Sequence, residues 1–150
     1  MTARVELRLT GPVDHLQLVW QVGETLLESV PFREDPEGAR YNALLATQEM
    51  LTNVLRYAYQ GEDSQPVELE MTTDDSGFCV EIRDVGPPFD PVSHPAPNGV
   101  GPPDDLRPGG YGIMIARLVM DAVDYRREGA RNVLRMRKYA VAPVPAESEA

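Results

Sequence analysis

Two polar residues at helical spacing, Glu49 and Asn53, lie in an otherwise strongly apolar stretch of the sequence. Residues four apart share one face of a helix, one turn from each other. A carboxylate can act as a general base, and an amide oxygen can bind a hard cation such as Mg²⁺. The pair could also be an ordinary solvated glutamate and asparagine, but its aliphatic neighbours weigh against that interpretation.

A second candidate is Asp84, which ends an apolar strand pattern and precedes Gly86 and a run of prolines. A buried aspartate at a strand end needs a hydrogen-bond donor. The exocyclic amine of a nucleotide base would be one such donor. A backbone N–H of the following turn is the more common one.

Three glycines in four residues, Gly109, Gly110 and Gly112, stand where an apolar helix pattern begins. Glycines at a helix start let backbone N–H groups approach an anion, and the helix dipole favours negative charge there. The same glycines could simply end a loop. The sequence lacks the Gly-Lys-Ser/Thr of a P-loop and lacks a strand directly before the glycines. Any phosphate bound here is therefore held by another design.

Hydrophobic periodicity predicts the elements that must position these residues. Alternating patterns predict five strands, at 5–9, 67–71, 78–82, 123–125 and 134–136, with a turn at 127–132. Helical patterns are found at 14–30, where Asp14 is a suitable N-cap, at 41–59, where Gly61 ends the pattern, and at 111–120. One-sided strands predict an α+β fold, a two-layer sandwich of a mixed, mostly antiparallel five-stranded sheet with three helices on one face.

The segment 87–108 separates the third strand from the third helix and holds more than half of the 14 prolines. Such a segment cannot form a helix or an inner strand. A long loop without secondary structure inside a compact domain is typically functional or disordered. The last ten residues, 141–150, have the composition of a frayed tail.

Composition limits the classes of function. The chain of 150 residues suits one domain, here 1–140, and its 42% hydrophobic and 25% charged residues are typical of a globular protein. The net charge of −10 argues against direct binding of nucleic acid. Cys79 is the single cysteine, so no intrachain disulfide forms. No signal peptide or membrane span is recognised, and we expect a cytoplasmic protein.

Three stretches in this order, "ATQEMLTNVLRYAY", "DVGPPFDP" and "GGYGIMIARLVMDAV", resemble the N box, D-x-G box and G-x-G box of one ATPase fold. That fold is shared by histidine kinases, a heat-shock chaperone, gyrase B and MutL. Over nearly the whole chain, the sequence is most similar to the small anti-sigma serine kinases of the RsbW and SpoIIAB type. The resemblance implies a Bergerat ATP-binding fold, the cofactors ATP and Mg²⁺, and an ATP lid at about 87–108.

The resemblance also implies a role for each candidate residue. Glu49 would be the general base and Asn53 the Mg²⁺ ligand. Asp84 would accept a hydrogen bond from the adenine amine, and Gly86 would leave room for the adenine ring. Gly110 and Gly112 would let the helix start meet the phosphates, and Gly109 would shape the turn. Tyr111 would belong to the same cofactor-binding stretch. A phosphate-binding lysine is then unnecessary, because Mg²⁺ and the helix N-terminus share the triphosphate charge.

Two positions depart from, or only approach, the pattern of the family. Many relatives carry a histidine four residues after the asparagine of the N box, and here that position is Tyr57. Some relatives place an arginine in the lid close to the glycine box. Arg107 lies near that position, and the resemblance suggests a contact between Arg107 and the γ-phosphate.

The resemblance predicts an ATP-dependent serine/threonine kinase that phosphorylates a serine of a STAS-domain anti-anti-sigma protein. It would act as an anti-sigma regulator by partner switching, with a sigma factor and, indirectly, a PP2C-type phosphatase as further partners. A homodimer is expected, with Leu16, Trp20 and Leu27 supplying apolar area unless they belong to the core. One alternative is a non-catalytic nucleotide-binding module that sequesters a sigma factor or another regulatory protein. Another is a detached histidine-kinase domain, although His15 and His94 are more typical of surface residues.

Overall fold

The computed structural model describes residues 1–90 and 110–141. The elements in chain order are β1 (Ala3–Leu9), α1 (His15–Leu27), α2 (Pro36–Thr52), a π-helical turn (Asn53–Ala58), β2 (Val67–Asp74), β3 (Gly77–Asp84), α3 (Gly110–Val119), β4 (Ala122–Glu128) and β5 (Arg131–Tyr139). Most of the predicted lid, including His94 and Arg107, lies outside the described residues. So do Gly109 and the tail beyond Val141.

The five strands form one sheet in the order β1-β2-β3-β5-β4, and every neighbouring pair is antiparallel. The predicted α+β sandwich is confirmed, whereas the expectation that the sheet is mixed was wrong. Between β1 and β2, helices α1 and α2 carry the chain away and back, so that β2 starts at the end of the sheet where β1 finishes. An antiparallel pairing follows, and no parallel crossover is needed.

One face of the sheet is buried under the helices and the other is polar. Along β2 and β3 the buried positions alternate with partly exposed ones, and Leu69, Met71, Val80 and Ile82 are at most 1% exposed. Several intervening positions carry charged side chains. These form ion pairs across the strands and along β3. This one-sided pattern is what the sequence alternation predicted.

Helix α1 packs its apolar side against this core. Leu27 is fully buried, and Leu16 and Trp20 are partly buried against the core cluster, so all three contribute to the interior. Asp14 is the N-cap, as predicted, and accepts a hydrogen bond from Gln17 N at 3.0 Å. The expectation that His15 is a surface residue was wrong: it is 7% exposed, with Nδ1 2.8 Å from Val13 O.

Helix α2 begins five residues earlier than the periodicity predicted. Asp35 is its N-cap and accepts a hydrogen bond from Gly38 N at 3.2 Å, and Pro36 occupies the first turn. Aspartate at the N-cap followed by proline is a standard helix start, because the proline lacks an N–H that would otherwise be unpaired. The polar residues of the first turn had concealed this start from the hydrophobic pattern.

The long helix changes character at Asn53, where a π-helical turn runs to Ala58. Tyr59 N donates to Val54 O at 2.8 Å, five residues back, and Gly61 adopts a φ of 80° just beyond the helix end. Gly61 contributes to the helix end as predicted, through a hydrogen bond from its N–H to Leu55 O at 2.9 Å, but Gln60 is the first residue in the left-handed region, with a φ of 52°. π-Helical turns are rare and are often found at functional sites. No helix within the described ranges is long and apolar enough to cross a membrane.

The π-helical turn brings Tyr59 to the loop after β3. The Tyr59 hydroxyl donates to Pro66 O at 2.7 Å and accepts from Val85 N at 2.8 Å. The ring is 5% exposed, and burial raises the pKa of the phenol. Tyr59 thus holds the backbone directly after Asp84 in place.

We predict that Tyr59→Phe destabilises the fold by about 1–2 kcal/mol at pH 7, because Val85 N loses its buried acceptor. The raised pKa means that the folded protein retains the phenolic proton after the unfolded chain has lost it. The wild type therefore loses stability as the pH rises above about 10, and its advantage over the variant narrows there.

Urea unfolding of both proteins at pH 7 and above pH 10 measures this difference. Tyr41→Phe is the matched control, because Tyr41 is 55% exposed. A stability difference between the wild type and Tyr59→Phe that is independent of pH would contradict the assignment.

Candidate functional site

A cavity of about 370 Å³ opens between the end of α2 and the helix-facing side of β3, β4 and β5. Its lining comprises Met50, Asn53, Val54, Tyr57, Ala58, Ile82, Asp84, Pro87, Pro88, Phe89, Tyr125, Asn132 and Leu134. Apolar walls with a few convergent polar groups are typical of small-molecule sites of this size. Here the side-chain amides and the carboxylate come from Asn53, Asp84 and Asn132.

Asn53 and Asp84 line the same cavity although they come from a helix and from a distant strand. Glu49 lies one turn before Asn53 and is partly buried, but it is not part of the cavity lining. Its carboxylate instead faces α3: a Cβ built on Gly112 would lie 2.8 Å from Glu49 Oε2. Gly112 therefore permits a close approach of α3 to the carboxylate.

The glycine-rich stretch is a helix start, as the sequence predicted. Helix α3 begins at Gly110, Tyr111 is 39% exposed, and Gly112 is buried beside α2. Phosphate binding by this helix start stays a prediction. Gly109 and Arg107, which were expected to shape the turn and to contact the γ-phosphate, lie outside the described residues.

Asp84 is 7% exposed and stands at the end of β3. Its Oδ1 accepts hydrogen bonds from Gly86 N and from Asn132 Nδ2, both at 2.9 Å. A backbone N–H of the following turn, the more common partner of such an aspartate, therefore does bind Oδ1. In residues 1–90 and 110–141 nothing donates to Oδ2, so Asp84 retains an acceptor for a ligand.

The atoms around Gly86 explain why a glycine occupies this position. A Cβ at this position would lie 2.9 Å from Ala58 Cβ and 3.1 Å from Asp84 Oδ1. The turn after β3 therefore touches the π-helical turn at a point where no side chain fits. The expected role of Gly86 in accommodating an adenine ring stays a prediction.

Sequence reasoning missed Asn132, which is 5% exposed and pairs with Asp84 in the β3–β5 ladder. Its Nδ2 donates to Asp84 Oδ1 and to Pro87 O. Its Oδ1 accepts from the Tyr125 hydroxyl at 2.6 Å and from Arg127 Nη1 at 3.1 Å. One sequence signal was available. Asn132 is a polar residue in the alternating register of the inward-facing Leu134 and Met136.

The residues present fit a magnesium ion only if the ion arrives with other ligands. Asn53 Nδ2 contacts Met50 Sδ at 3.7 Å, and the amide oxygen has no hydrogen-bond partner in the described part of the chain. Within that part, no three or more histidine, cysteine or carboxylate side chains are grouped to hold a metal. Magnesium commonly combines one or two protein oxygens with substrate phosphates and water, and the site suits that case.

Comparison with known proteins gives one family and two individual similarities. Residues 13–138 match the family described as histidine kinase-like ATPase domain. The chain is 25% identical over 140 residues to the serine/threonine-protein kinase BtrW of Bordetella bronchiseptica, covering 93% of this chain and 94% of that protein. The solved structure of the Acinetobacter baumannii histidine kinase AdeS matches 91% of this chain and 68% of that chain, with 12% identity and a TM-score of 0.44.

We predict that Gly86→Ala destabilises the fold by about 1–3 kcal/mol, because the new methyl group overpacks the contact with Ala58. Adding Ala58→Gly removes the Cβ that the new methyl group would meet. The double variant should therefore be less destabilised than the sum of the single variants by about 1 kcal/mol. Chemical denaturation of all four proteins measures this coupling, and strict additivity would argue against the close contact.

Proposed function

Because the chain belongs to the histidine kinase-like ATPase domain family, we propose that it binds ATP with Mg²⁺ and transfers the γ-phosphate to a serine or threonine of a partner protein. The observation that carries this proposal is the shared cavity of Asn53 and Asp84. Two motifs that are distant in sequence supply a side-chain amide and a buried carboxylate to a single, mostly apolar pocket.

Asp84 would select the base. Its Oδ2 is an acceptor at the end of a mostly apolar cavity, and a carboxylate offers acceptors only. The exocyclic amine of adenine is a donor, whereas guanine presents a carbonyl oxygen at the equivalent ring position. A guanine there would place two acceptors opposite each other, and the buried carboxylate would lose its partner.

The triphosphate would extend from this cavity towards α3. The N–H groups at the start of α3, at Gly110 to Gly112, would bind the phosphates together with the helix dipole. Asn53 would contribute its amide oxygen to the magnesium shell, which the phosphates complete. The ion would neutralise charge on the transferred phosphoryl group.

Glu49 would be the general base for the transfer. It would accept the proton of the serine hydroxyl as that oxygen forms a bond with the γ-phosphorus. The bond from the γ-phosphorus to the oxygen that bridges the β- and γ-phosphates then breaks, and ADP leaves. Phosphoryl transfer depends mainly on positioning and on neutralising charge, and the partly buried carboxylate beside α3 suits the proton acceptor.

The name of one relative supports the proposed kinase activity: BtrW is a serine/threonine-protein kinase and aligns with this chain over nearly its full length. The motifs resemble those of anti-sigma serine kinases. We therefore propose a STAS-domain anti-anti-sigma protein as the substrate and a sigma factor as a further partner. A PP2C-type phosphatase would reverse the modification, and the kinase would act as a homodimer in the cytoplasm.

One observation favours an alternative in which the nucleotide only sets the shape of a binding module. The lining of the cavity excludes Glu49, whose carboxylate lies against Gly112. Such a module would bind ATP and sequester a sigma factor or another regulatory protein without transferring phosphate. Incubation with labelled ATP and the STAS protein separates the two functions, because only the kinase labels the partner.

We predict that Glu49→Gln lowers the rate of phosphoryl transfer to the STAS protein about 100-fold or more, because the amide cannot accept the hydroxyl proton. ATP binding should stay within a few-fold of the wild type. Filter-bound label measures transfer and calorimetry measures binding.

Glu37→Gln in the first turn of α2 is a suitable control, since Glu37 is exposed and far from the cavity lining. That variant should transfer phosphate at the wild-type rate. Undiminished transfer by Glu49→Gln would remove Glu49 from the mechanism.

A further inference from the structure

We propose that Asn132 is a positioning residue that makes the base site selective for an amine donor by fixing the orientation of the Asp84 carboxylate. The inference rests on the proposed nucleotide binding and adds a residue to the site. Asn132 lies beside Asp84 on the neighbouring strand and donates to Asp84 Oδ1 at 2.9 Å. Its own side chain is almost fully buried.

The orientation of the Asn132 amide is determined by partners that can act only as donors or only as acceptors of hydrogen bonds. Its Oδ1 faces two obligate donors, Arg127 Nη1 at 3.1 Å and the Phe89 backbone N at 3.4 Å. Its Nδ2 faces backbone carbonyl oxygens, at 2.9 Å for Pro87 and 3.4 Å for Gly86. A flipped amide would place donors against donors and acceptors against acceptors.

A fixed amide in turn fixes the carboxylate. Nδ2 can only donate, so it always engages an oxygen of Asp84, and the Gly86 N–H engages the same oxygen. Two donors on Oδ1 hold the carboxylate in one rotation about its terminal bond. The second oxygen of this cavity-lining residue then remains an acceptor whose orientation does not change.

The β4–β5 hairpin supplies the outer support for Asn132. Tyr125 OH lies 2.6 Å from Asn132 Oδ1, and its ring lines the cavity. Arg127 bonds Asn132 Oδ1 and also Gly86 O at 2.9 Å. Arg126, the preceding residue, points to the opposite face of the sheet and pairs with Glu81 and Glu128.

The consequence is a specific discrimination between two nucleotides. ATP carries a 6-amino group that can donate to Asp84 Oδ2, whereas purine riboside 5′-triphosphate carries hydrogen at that position. If Asn132 acts through Asp84, its removal weakens binding of ATP and leaves binding of the analogue unchanged. If Asn132 only holds the turn at 86–89 in place, its removal weakens both.

The experiment is calorimetric titration of the full chain with each nucleotide in the presence of Mg²⁺. For the wild type we expect ATP to bind about tenfold more tightly than the analogue, as for one hydrogen bond to a charged acceptor. In Asn132→Leu we expect the affinity for ATP to fall about tenfold, to that of the analogue. The affinity for the analogue should change by less than about twofold.

Arg127→Met and Arg126→Met are a matched pair that retains Asn132 itself. Arg127→Met should lower the ratio of the affinity for ATP to the affinity for the analogue by about threefold, because Asn132 Oδ1 loses one of its donors. Arg126→Met should leave both affinities unchanged. If thermal unfolding shows that Asn132→Leu does not fold, this pair of variants still tests whether Asn132 positions the Asp84 carboxylate.

The outcomes separate this inference from the proposed function. Equal losses for ATP and the analogue, or no loss for either, would overturn the positioning role while nucleotide binding stands. A wild type that binds neither triphosphate would overturn the proposed function. A wild type without preference between the two would reject Asp84 as the acceptor of the amine.

Discussion

A buried carboxylate needs donors, and the arrangement of this site follows from satisfying that need at Asp84. The residue stands at the end of β3, opposite Asn132 in the β3–β5 ladder, and it is 7% exposed. The Gly86 N–H and the Asn132 amide meet the requirement at one oxygen. Each of these donors constrains another element: the turn after β3 in the first case and the β4–β5 hairpin in the second.

Close approach is the second constraint, and it explains why two of the motif positions, Gly86 and Gly112, leave no room for a side chain. At Gly86 the turn after β3 meets Ala58 on the π-helical turn, and at Gly112 helix α3 meets the Glu49 carboxylate. The first contact is with the apolar methyl group of Ala58, and the second brings a carboxylate against bare backbone. The π-helical turn contributes by directing Tyr59 to the backbone of Val85. The cavity therefore lies beside the point where the π-helical turn and the turn after β3 meet without an intervening side chain.

This arrangement separates the two tasks that the proposed kinase must perform. The apolar cavity with Asp84 at its edge suits recognition of a base, which needs burial and one correctly placed acceptor. Glu49 lies outside that cavity against the start of α3, in the region where the proposal places the phosphates. Base recognition and phosphoryl transfer would thus use neighbouring but distinct surfaces of one long helix.

Local patterns in the chain were sufficient to predict the α+β class, the five strands and the glycine-rich start of α3. They also gave the candidates Asn53 and Asp84, which line one cavity. Alternation, caps and motif spacing are properties of neighbouring residues, so they can be recognised without the fold. The Asp35–Pro36 start of α2 was also readable but was overlooked. Strand neighbours, the fully antiparallel sheet and the environment of His15 depended on tertiary structure. So did Asn132, whose bond to Asp84 joins residues 48 apart. Hydrogen bonds and packing over such separations have no local signature, because either residue alone suits many environments and only the folded sheet brings them within bonding distance.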